Sequence, residues 1–415
     1  MTGVGKTHEL GAFVLDADER QSLVSIRSLG RAGVRVGALE RYPGVPAFSS
    51  RWCEVRGLVP NAGVDSDAFV NAVIDWVERY SPRVLISATD RSVAALRRRR
   101  AEIERHAALG LASEKALDIA VNKQRTLALA TQLRIRVPRS VTLIDVADLR
   151  AATEEVGFPL VVKPTVSWIP RGSGGTRLTS TVVVNLAEAA RAVEAAHQSG
   201  GSVILQEWLS GTREAISLFR ARGRVWARFA QLATRMHPPL GGSSVTRVSI
   251  SLPPDITPAA ERLVEAADLD GYSEIEFRRD SVGQAALMEI NPRLSASVEV
   301  AVRAGVDFPL LLYAWAAGGS LHTVLGYRVG VRMRWLGGDL RWLRETLRTQ
   351  NRPDVEPAGK AVVHFVGDFL RPTWYDYLAI SDPRPALVAS VAFTRRIVGP
   401  SHGVDSAPLR SEDES

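Results

Sequence analysis

A single cysteine, Cys53, stands in 415 residues, so no intrachain disulfide can form and a reducing, cytoplasmic setting is the expectation. Its neighbourhood, Trp52-Cys53-Glu54-Val55, is that of a buried small residue rather than a nucleophile. Long apolar runs are lacking as well. The longest, around Phe308 to Ala317, is too short to span a bilayer, and no charged-then-apolar leader opens the chain. No transmembrane segment is therefore expected; the apolar stretch Ala386 to Val398, with Arg395 and Arg396 embedded, leaves peripheral attachment open. Lysine is scarce: Lys6, Lys115, Lys123, Lys163 and Lys360 are the only five of 52 basic residues, so the net charge of +7 rests on arginine. No zinc-ligand set, aromatic–basic RNA motif or helix-turn-helix spacing accompanies that charge, and Arg97 to Arg100 reads as the solvated face of an alanine-rich helix. Nucleic acid is not an expected partner; small anionic substrates account for a positive cleft equally well. No Ser/His/Asp or Cys/His set is present to act as a side-chain nucleophile. Gly3-Val4-Gly5-Lys6-Thr7 lacks the first glycine and the preceding strand of a phosphate loop and reads as a frayed terminus.

What is there is globular: 46% hydrophobic and 23% charged, with length for two or three domains. Residues 11–110 alternate short apolar strands (Ala12 to Leu15, Val34 to Leu39, Val84 to Ser87) with helices (Ser22 to Leu29, Ala68 to Tyr80). That alternation implies an open parallel sheet, whose ligands gather beyond the carboxyl ends of the strands. Asp90 and the Asp16-Ala17-Asp18 loop are thereby substrate-side candidates, with helix capping as the competing role. Residues 113–150 read as mainly helical and carry Lys123. A strand, Leu160 to Pro164, ends on Lys163, and a glycine-rich loop, Arg171 to Thr176, follows. Val203 to Leu209 is a strand, Pro258 to Asp268 a helix, and residues 401–415 a polar, disordered tail.

The most informative stretch is Glu274-Ile275-Glu276-Phe277, followed after a turn by Met288-Glu289-Ile290-Asn291-Pro292-Arg293. Both arms alternate polar and apolar, as strands with one buried face do. Ile275, Phe277, Met288 and Ile290 are expected in a core, and the polar residues opposite. With Asp280-Ser281-Val282-Gly283 as the turn, a symmetric loop centred on Val282-Gly283 sets Glu276 opposite Glu289 and Glu274 opposite Asn291. Carboxylates ~5 Å apart across a hairpin repel. A divalent cation offsets the repulsion, and oxygen-only donors suit Mg²⁺, which completes its shell with water and nucleotide phosphates. Arg293, one step along, is placed to meet a transferring phosphoryl group. The competing reading is a solvated hairpin with ordinary surface charge.

Taken together, Lys123, Lys163, the glycine loop, Gln206 to Leu209, Glu214, Glu276, Glu289, Asn291 and Arg293 resemble the ATP-grasp superfamily, in particular its carboxylate–amine ligases and carbamoyl-phosphate-synthetase-like branch, over roughly residues 10–318. The resemblance implies a mixed α/β and α+β fold: a Rossmann-like pre-ATP-grasp domain (1–112), two ATP-grasp subdomains (113–205 and 206–318), a small C-terminal domain (319–400) and the tail. It implies Lys123 and Lys163 on ATP phosphates, and Ser173, Gly174 and Gly175 as a lid. Gln206, Glu207, Trp208 and Leu209 become the adenine hinge, and Glu214, with Arg213 beside it as an alternative register, the ribose carboxylate. Glu276, Glu289 and Asn291 become ligands of Mg²⁺ (two ions, with Mn²⁺ as a substitute). Arg293 and Lys163 are then catalytic, and Arg235, Gly242 and Ser243 fall on the acceptor side with Asp90. The implied reaction couples a small-molecule carboxylic acid to an amine through an acyl phosphate, releasing ADP and phosphate. Bicarbonate or carbamate activation is the alternative chemistry, and a nucleotide-binding module without turnover the alternative class. Residues 319–400 are expected to close the acceptor pocket or to form a homodimer contact.

Overall fold

The computed structural model describes residues 9–172, 174–198, 202–350 and 352–398. The chain opens as β1 (Ala12–Val14), α1 (Arg20–Arg31), β2 (Val36–Glu40), β3 (Cys53–Leu58), α2 (Ser66–Tyr80), β4 (Val84–Ile86), α3 (Asp90–Arg98), α4 (Arg100–Ile103) and β5 (Ala108–Leu109). These strands form one parallel sheet in the order β3-β2-β1-β4-β5. The three central strands are buried on both faces, which is why they read as continuous apolar runs. Cys53 lies buried in β3, where burial pushes its thiol up to about 11. Arg97, Arg99 and Arg100 are taken up in ion pairs with Glu114, Asp118, Glu102 and Glu104.

Two short helices, α5 (Glu114–Ala120) and α6 (Lys123–Gln132), lead to a four-stranded antiparallel sheet. It is built from β6 (Ser140–Leu143), β7 (Leu160–Pro164), β10 (Thr181–Val183) and β11 (Val203–Glu207), backed by α7 (Leu149–Val156) and α8 (Leu186–Gln198). Ser140 to Leu143, expected as part of a helical stretch, is thus a strand: it pairs with β11, and the ladder overrides the local pattern. Leu143, Leu160, Val162, Val203 and Leu205 face the helices and form a separate small core. The glycine-rich segment expected as a loop is a hairpin, β8 (Trp168–Arg171) with β9 (Gly174–Arg177).

The largest sheet has seven strands: β12 (Arg213–Ala221), β13 (Arg224–His237), β14 (Ser243–Ile250), β15 (Gly271–Arg279), β16 (Ala285–Asn291), β17 (Arg332–Arg334) and β18 (Trp374–Tyr375). α9 (Thr257–Ala266) covers one face; α10 (Glu299–Ala304) and α11 (Phe308–Ala316) cover part of the other. Ile216, Ile275, Phe277, Leu287 and Ile290 pack with Leu263 and Val264 of α9. Burial of each such side chain is worth about 1.5–3 kcal/mol, so this apolar face fixes which way the alternate residues point.

The segment after residue 319 is not walled off from the rest. β17 and β18 extend the large sheet at its β14 edge, with α12 (Leu336–Arg348) and α13 (Ala358–Gly367) packed alongside and α14 (Arg384–Val398) following. Buried ion pairs bind it. Asp376 accepts from Arg20 of α1 at 2.7 Å and from both terminal nitrogens of Arg247 on β14. Asp382 accepts from Arg27 Nε at 3.0 Å and from Ser50. This segment therefore locks the first sheet to the large one.

Candidate active site

The acid hairpin has the expected register. Glu274 pairs with Asn291, Ile275 with Ile290 and Glu276 with Glu289. The route to it differs from a symmetric loop. The turn is centred on Val282, with Asp280 Oδ1 accepting from the Val282 and Gln284 amides and Gly283 at φ 85°. A β-bulge after Glu276 then restores the one-residue offset, so Phe277 pairs with Leu287. Met288, expected in the core, is left half-buried at the bulge, and Leu287 fills the core instead.

In-register partners share a face, so the whole site can be read across the sheet. Glu276 lies beside Ala215 and Glu274 beside Ser217, which puts Arg213 and Arg278 on the acid face. Further along, the same face is apolar: Phe219, Phe229 and Tyr272 pack under α11. Glu214 points the other way. Its carboxylate is clasped by Arg279 at 2.8 Å through both oxygens, on the face of Phe277. The expected ribose carboxylate is thus turned away from the acids by strand alternation, and Arg213 holds the position facing them. Arg213 entered the sequence reading only as an alternative register to Glu214, and Arg278 went unassigned, although the alternation that paired the glutamates also marks Arg278, two residues beyond Glu276.

Lys123 is brought in as the first residue of α6. Asn122 caps the helix by accepting from the Arg125 amide, and the Lys123 amide donates to Thr165 O at 2.8 Å. Its ammonium donates to Ser167 Oγ at 2.9 Å and stands 3.6 Å from Glu289. Lys163 pairs with Ile204 and Gln206 with Val161, so lysine and glutamine share the face of the four-stranded sheet away from its core. Burial drives the Lys163 ammonium down to about 8; Glu289 opposes the shift and Lys123 adds to it. Burial pushes Glu276 up to about 7, Arg213 pulling against it and Glu289 and Glu274 adding to it. Glu289, although burial acts to raise it, is held below the usual carboxylate range by Lys123, Lys163 and Arg213. The two sheets thus enclose one electrostatically coupled cluster.

Arg293 meets Asp90 at the carboxyl end of β4 through Nε at 2.6 Å and Nη2 at 3.1 Å. Thr89 caps α3 instead, accepting from the Ser92 amide, which frees Asp90 from the capping role. Asp90 is half-buried; desolvation acts to raise its pKa, but Arg293, Arg177 of the glycine hairpin and Lys123 hold it low. Gly174 and Gly175 seat against residues 63 and 64: the Gly175 amide donates to Gly63 O at 2.9 Å, and a Cβ on Gly174 would fall 2.4 Å from Val64 O. Ser173 lies outside the described residues, as do the terminal Gly3 to Thr7 and the tail.

Of the hinge residues, Gln206 is fully buried and both polar atoms of its amide lack a partner among the described residues. Glu207 is tied to Arg139 at 2.7 Å. The Trp208 ring lies 3.9 Å below the Arg278 guanidinium, its indole N–H donates to Asp354, and Leu209 is buried. On the acceptor side, Arg235 is not free. Asp339 takes it through two bonds at 2.8 and 2.7 Å and Asp368 at 2.6 Å, so it is a structural tie. The Gly242 carbonyl accepts from Arg213, and Ser243 is exposed at the end of the hairpin. A recess beside the acids is lined by Arg213, Gln231, Ser244, Glu274 and Ser297; Gln231 Oε1 and Ser244 Oγ are buried there without partners among the described residues.

The donor set bears on metal binding. Among the described residues no three His, Cys, Asp or Glu side chains cluster around one point. Two carboxylates and an amide share one face of the hairpin, and oxygen donors of that kind fit a hard ion that keeps several waters, such as Mg²⁺. The unpartnered Gln206 amide and the paired lysines fit the base and phosphates of a nucleotide.

Residues 199–338 match the family model described as ATP-grasp in the biosynthetic pathway with Ter operon. A D-alanine–D-alanine ligase of Ectopseudomonas mendocina (strain ymp) is 26% identical over 216 residues, covering 47% of this chain and 64% of that protein. A formate-dependent phosphoribosylglycinamide formyltransferase of Synechococcus sp. (strain CC9605) is 31% identical over 144 residues, 34% of each chain. The chain thus spans less than two thirds of the length of either relative. Among solved structures, biotin carboxylase from Campylobacter jejuni superposes with a TM-score of 0.64 over 78% of this chain and 75% of that one, at 13% identity. The matched segment, the relatives and the shared fold together support the ATP-grasp superfamily for this chain.

Proposed function

We propose that this protein is an ATP-dependent, Mg²⁺-requiring ligase that activates a substrate carboxylate as an acyl phosphate and joins it to an amine. The observation that carries this reading is the in-register Glu276–Glu289 pair with Asn291, facing Lys123 and Lys163 across the cleft. Gln206 would read the adenine edge, its amide offering both a donor and an acceptor. Lys123 and Lys163 would neutralise the phosphates. Glu289 and Asn291, with Glu276 beside them, would hold Mg²⁺, which when bound neutralises and orients phosphate oxygens.

In this reading a carboxylate oxygen of the acid attacks the γ-phosphorus and ADP leaves. Arg293, with Nη1 uncommitted among the described residues, meets the charge developing on the phosphoryl oxygens. The amine then attacks the acyl carbon, phosphate departs with the bonding pair, and the nitrogen gives up a proton. The recess of Gln231, Ser244, Glu274 and Ser297 is the acceptor seat, its unpartnered polar atoms awaiting hydrogen bonds. The glycine hairpin, closed on residues 63 and 64, would keep water from the acyl phosphate.

The domain limits read from the sequence serve as working units, with residues 319–400 as the clasp between sheets. Val363, Val366, Phe369 and Leu370, exposed on that segment, are where a homodimer contact would fall. No helix among the described residues is long and apolar enough to cross a membrane.

Mass spectrometry of a panel of acids crossed with amines, with Mg-ATP, tests the reading: ADP and an amide should appear only when both substrates are supplied. AMP and pyrophosphate would sink it. ATP hydrolysis stimulated by bicarbonate alone would move the assignment to bicarbonate activation, and tight ATP binding without turnover to a nucleotide-binding module.

A further inference from the structure

We propose that Arg213 is a resident cation that takes the place of one of the two divalent ions expected at the carboxylate pair, so that the site loads a single ion, on Glu289 and Asn291. The inference rests on the nucleotide reading above and deepens it. Three observations support it.

The first is that Arg213 is fixed at both ends. Nη2 donates to Glu276 Oε1 at 2.6 Å, and Nη1 donates to the Gly242 carbonyl. Gly242 sits at φ +112°, and a Cβ there would fall 2.5 Å from His237 O, so this turn requires glycine. A guanidinium so oriented is part of the scaffold rather than a mobile counter-ion. The second is that Glu276 is already saturated on that side, because the same Oε1 also accepts from Asn291 Nδ2 at 3.2 Å. A dication seated on Glu276 would lie against a fixed positive charge that has nowhere to retreat.

The third is the asymmetry across the hairpin. Among the described residues, Glu289 has one ion-pair partner within 4 Å, the Lys123 ammonium at 3.6 Å, on a long flexible stem that can swing toward phosphate; Lys163 and Arg213 act on it from farther off. The side chain of Glu289 is 30% exposed, against 9% for Glu276. One carboxylate is closed by the protein's own cation; the other is open to an ion from solution.

Counting Mn²⁺ bound to the full chain at saturating ADP, by electron paramagnetic resonance with equilibrium dialysis, tests this. The wild type should bind one ADP-dependent Mn²⁺ per chain. Arg213→Ala should bind two, Arg213→Lys should stay at one, and Glu276→Gln should leave the count at one. Two ions in the wild type would overturn the inference and leave the nucleotide reading standing. An alanine variant that still takes one ion would remove Arg213 as the cause. No ADP-dependent Mn²⁺ at all would overturn the nucleotide reading and this inference with it. If Arg213→Ala fails to fold, as judged by circular dichroism, the wild-type and Glu276→Gln counts decide.

Discussion

Two of the arginine–carboxylate clusters among the described residues differ in what they leave over. In the clasp formed by the C-terminal segment, the side chains of Asp339 and Asp376 are 0% and 2% exposed, and each is shared by two arginines. The planar groups are stacked too, Arg334 over Phe365 and Phe369 and Arg20 over Trp335. On the acid face of the large sheet, the carboxylates confront each other, the cations stand around them, and the edge at Glu289 is open. The same chemistry closes a structure where it is dry and mutually bonded, and makes a site where it is coupled, partly open and short of partners.

Breaking the clasp should have the largest effect. Asp376→Ala strands Arg20 and Arg247 in the interior and should cost about 3–5 kcal/mol in denaturant unfolding, with nucleotide affinity per folded molecule unchanged. On the acid face the order reverses: Glu289→Gln should leave the unfolding midpoint nearly in place while ADP formation falls by about 10²–10³-fold. Asp90→Asn loosens the orientation of Arg293 and should lower turnover by up to about 10²-fold with little change in nucleotide binding, as read from separate kcat and Kd measurements.

The pH dependence sharpens the contrast further. Lys163 in the free protein is depressed to about 8, and bound phosphate favours its charged form. Nucleotide affinity, followed by calorimetry, should therefore be flat below that value and fall by up to about tenfold per pH unit above it, with proton uptake on binding; Lys163→Gln should remove the slope. The sign for stability is opposite. A lysine with a lowered folded pKa weakens the fold below that value, and the loss is relieved as pH rises toward the ordinary lysine range. Smallest of all, Arg352→Ala, which removes a half-exposed pair with Glu188, should change stability by less than about 1 kcal/mol.

The hairpin was legible in the sequence because both arms carry a period of two and one face is apolar. The alternation of continuous apolar runs with helices marked the parallel sheet, and the scarcity of lysine brought Lys123 and Lys163 forward. What escaped depends on partners distant in the chain. Arg235 reads as an acceptor-side residue until Asp339, 104 residues on, takes it. Glu214 and Arg213 are adjacent, and only the ladder with β15 decides which faces the acids. The sequence places Ser140 to Leu143 among helices because four residues carry too little period to reveal a strand. The clasp was invisible for a related reason: Asp376 and Asp382 meet arginines about 350 positions earlier.

The seat of the glycine hairpin has a kinetic consequence. Among the described residues the Gly175 amide donates to Gly63 O there, and the contact at 174 is too close for any residue larger than glycine. A single amide bond is worth about 0.5–1.5 kcal/mol net. On the proposed reading, an added methyl group at 174 would prop the hairpin away from residues 63 and 64 and let water compete for the activated acid.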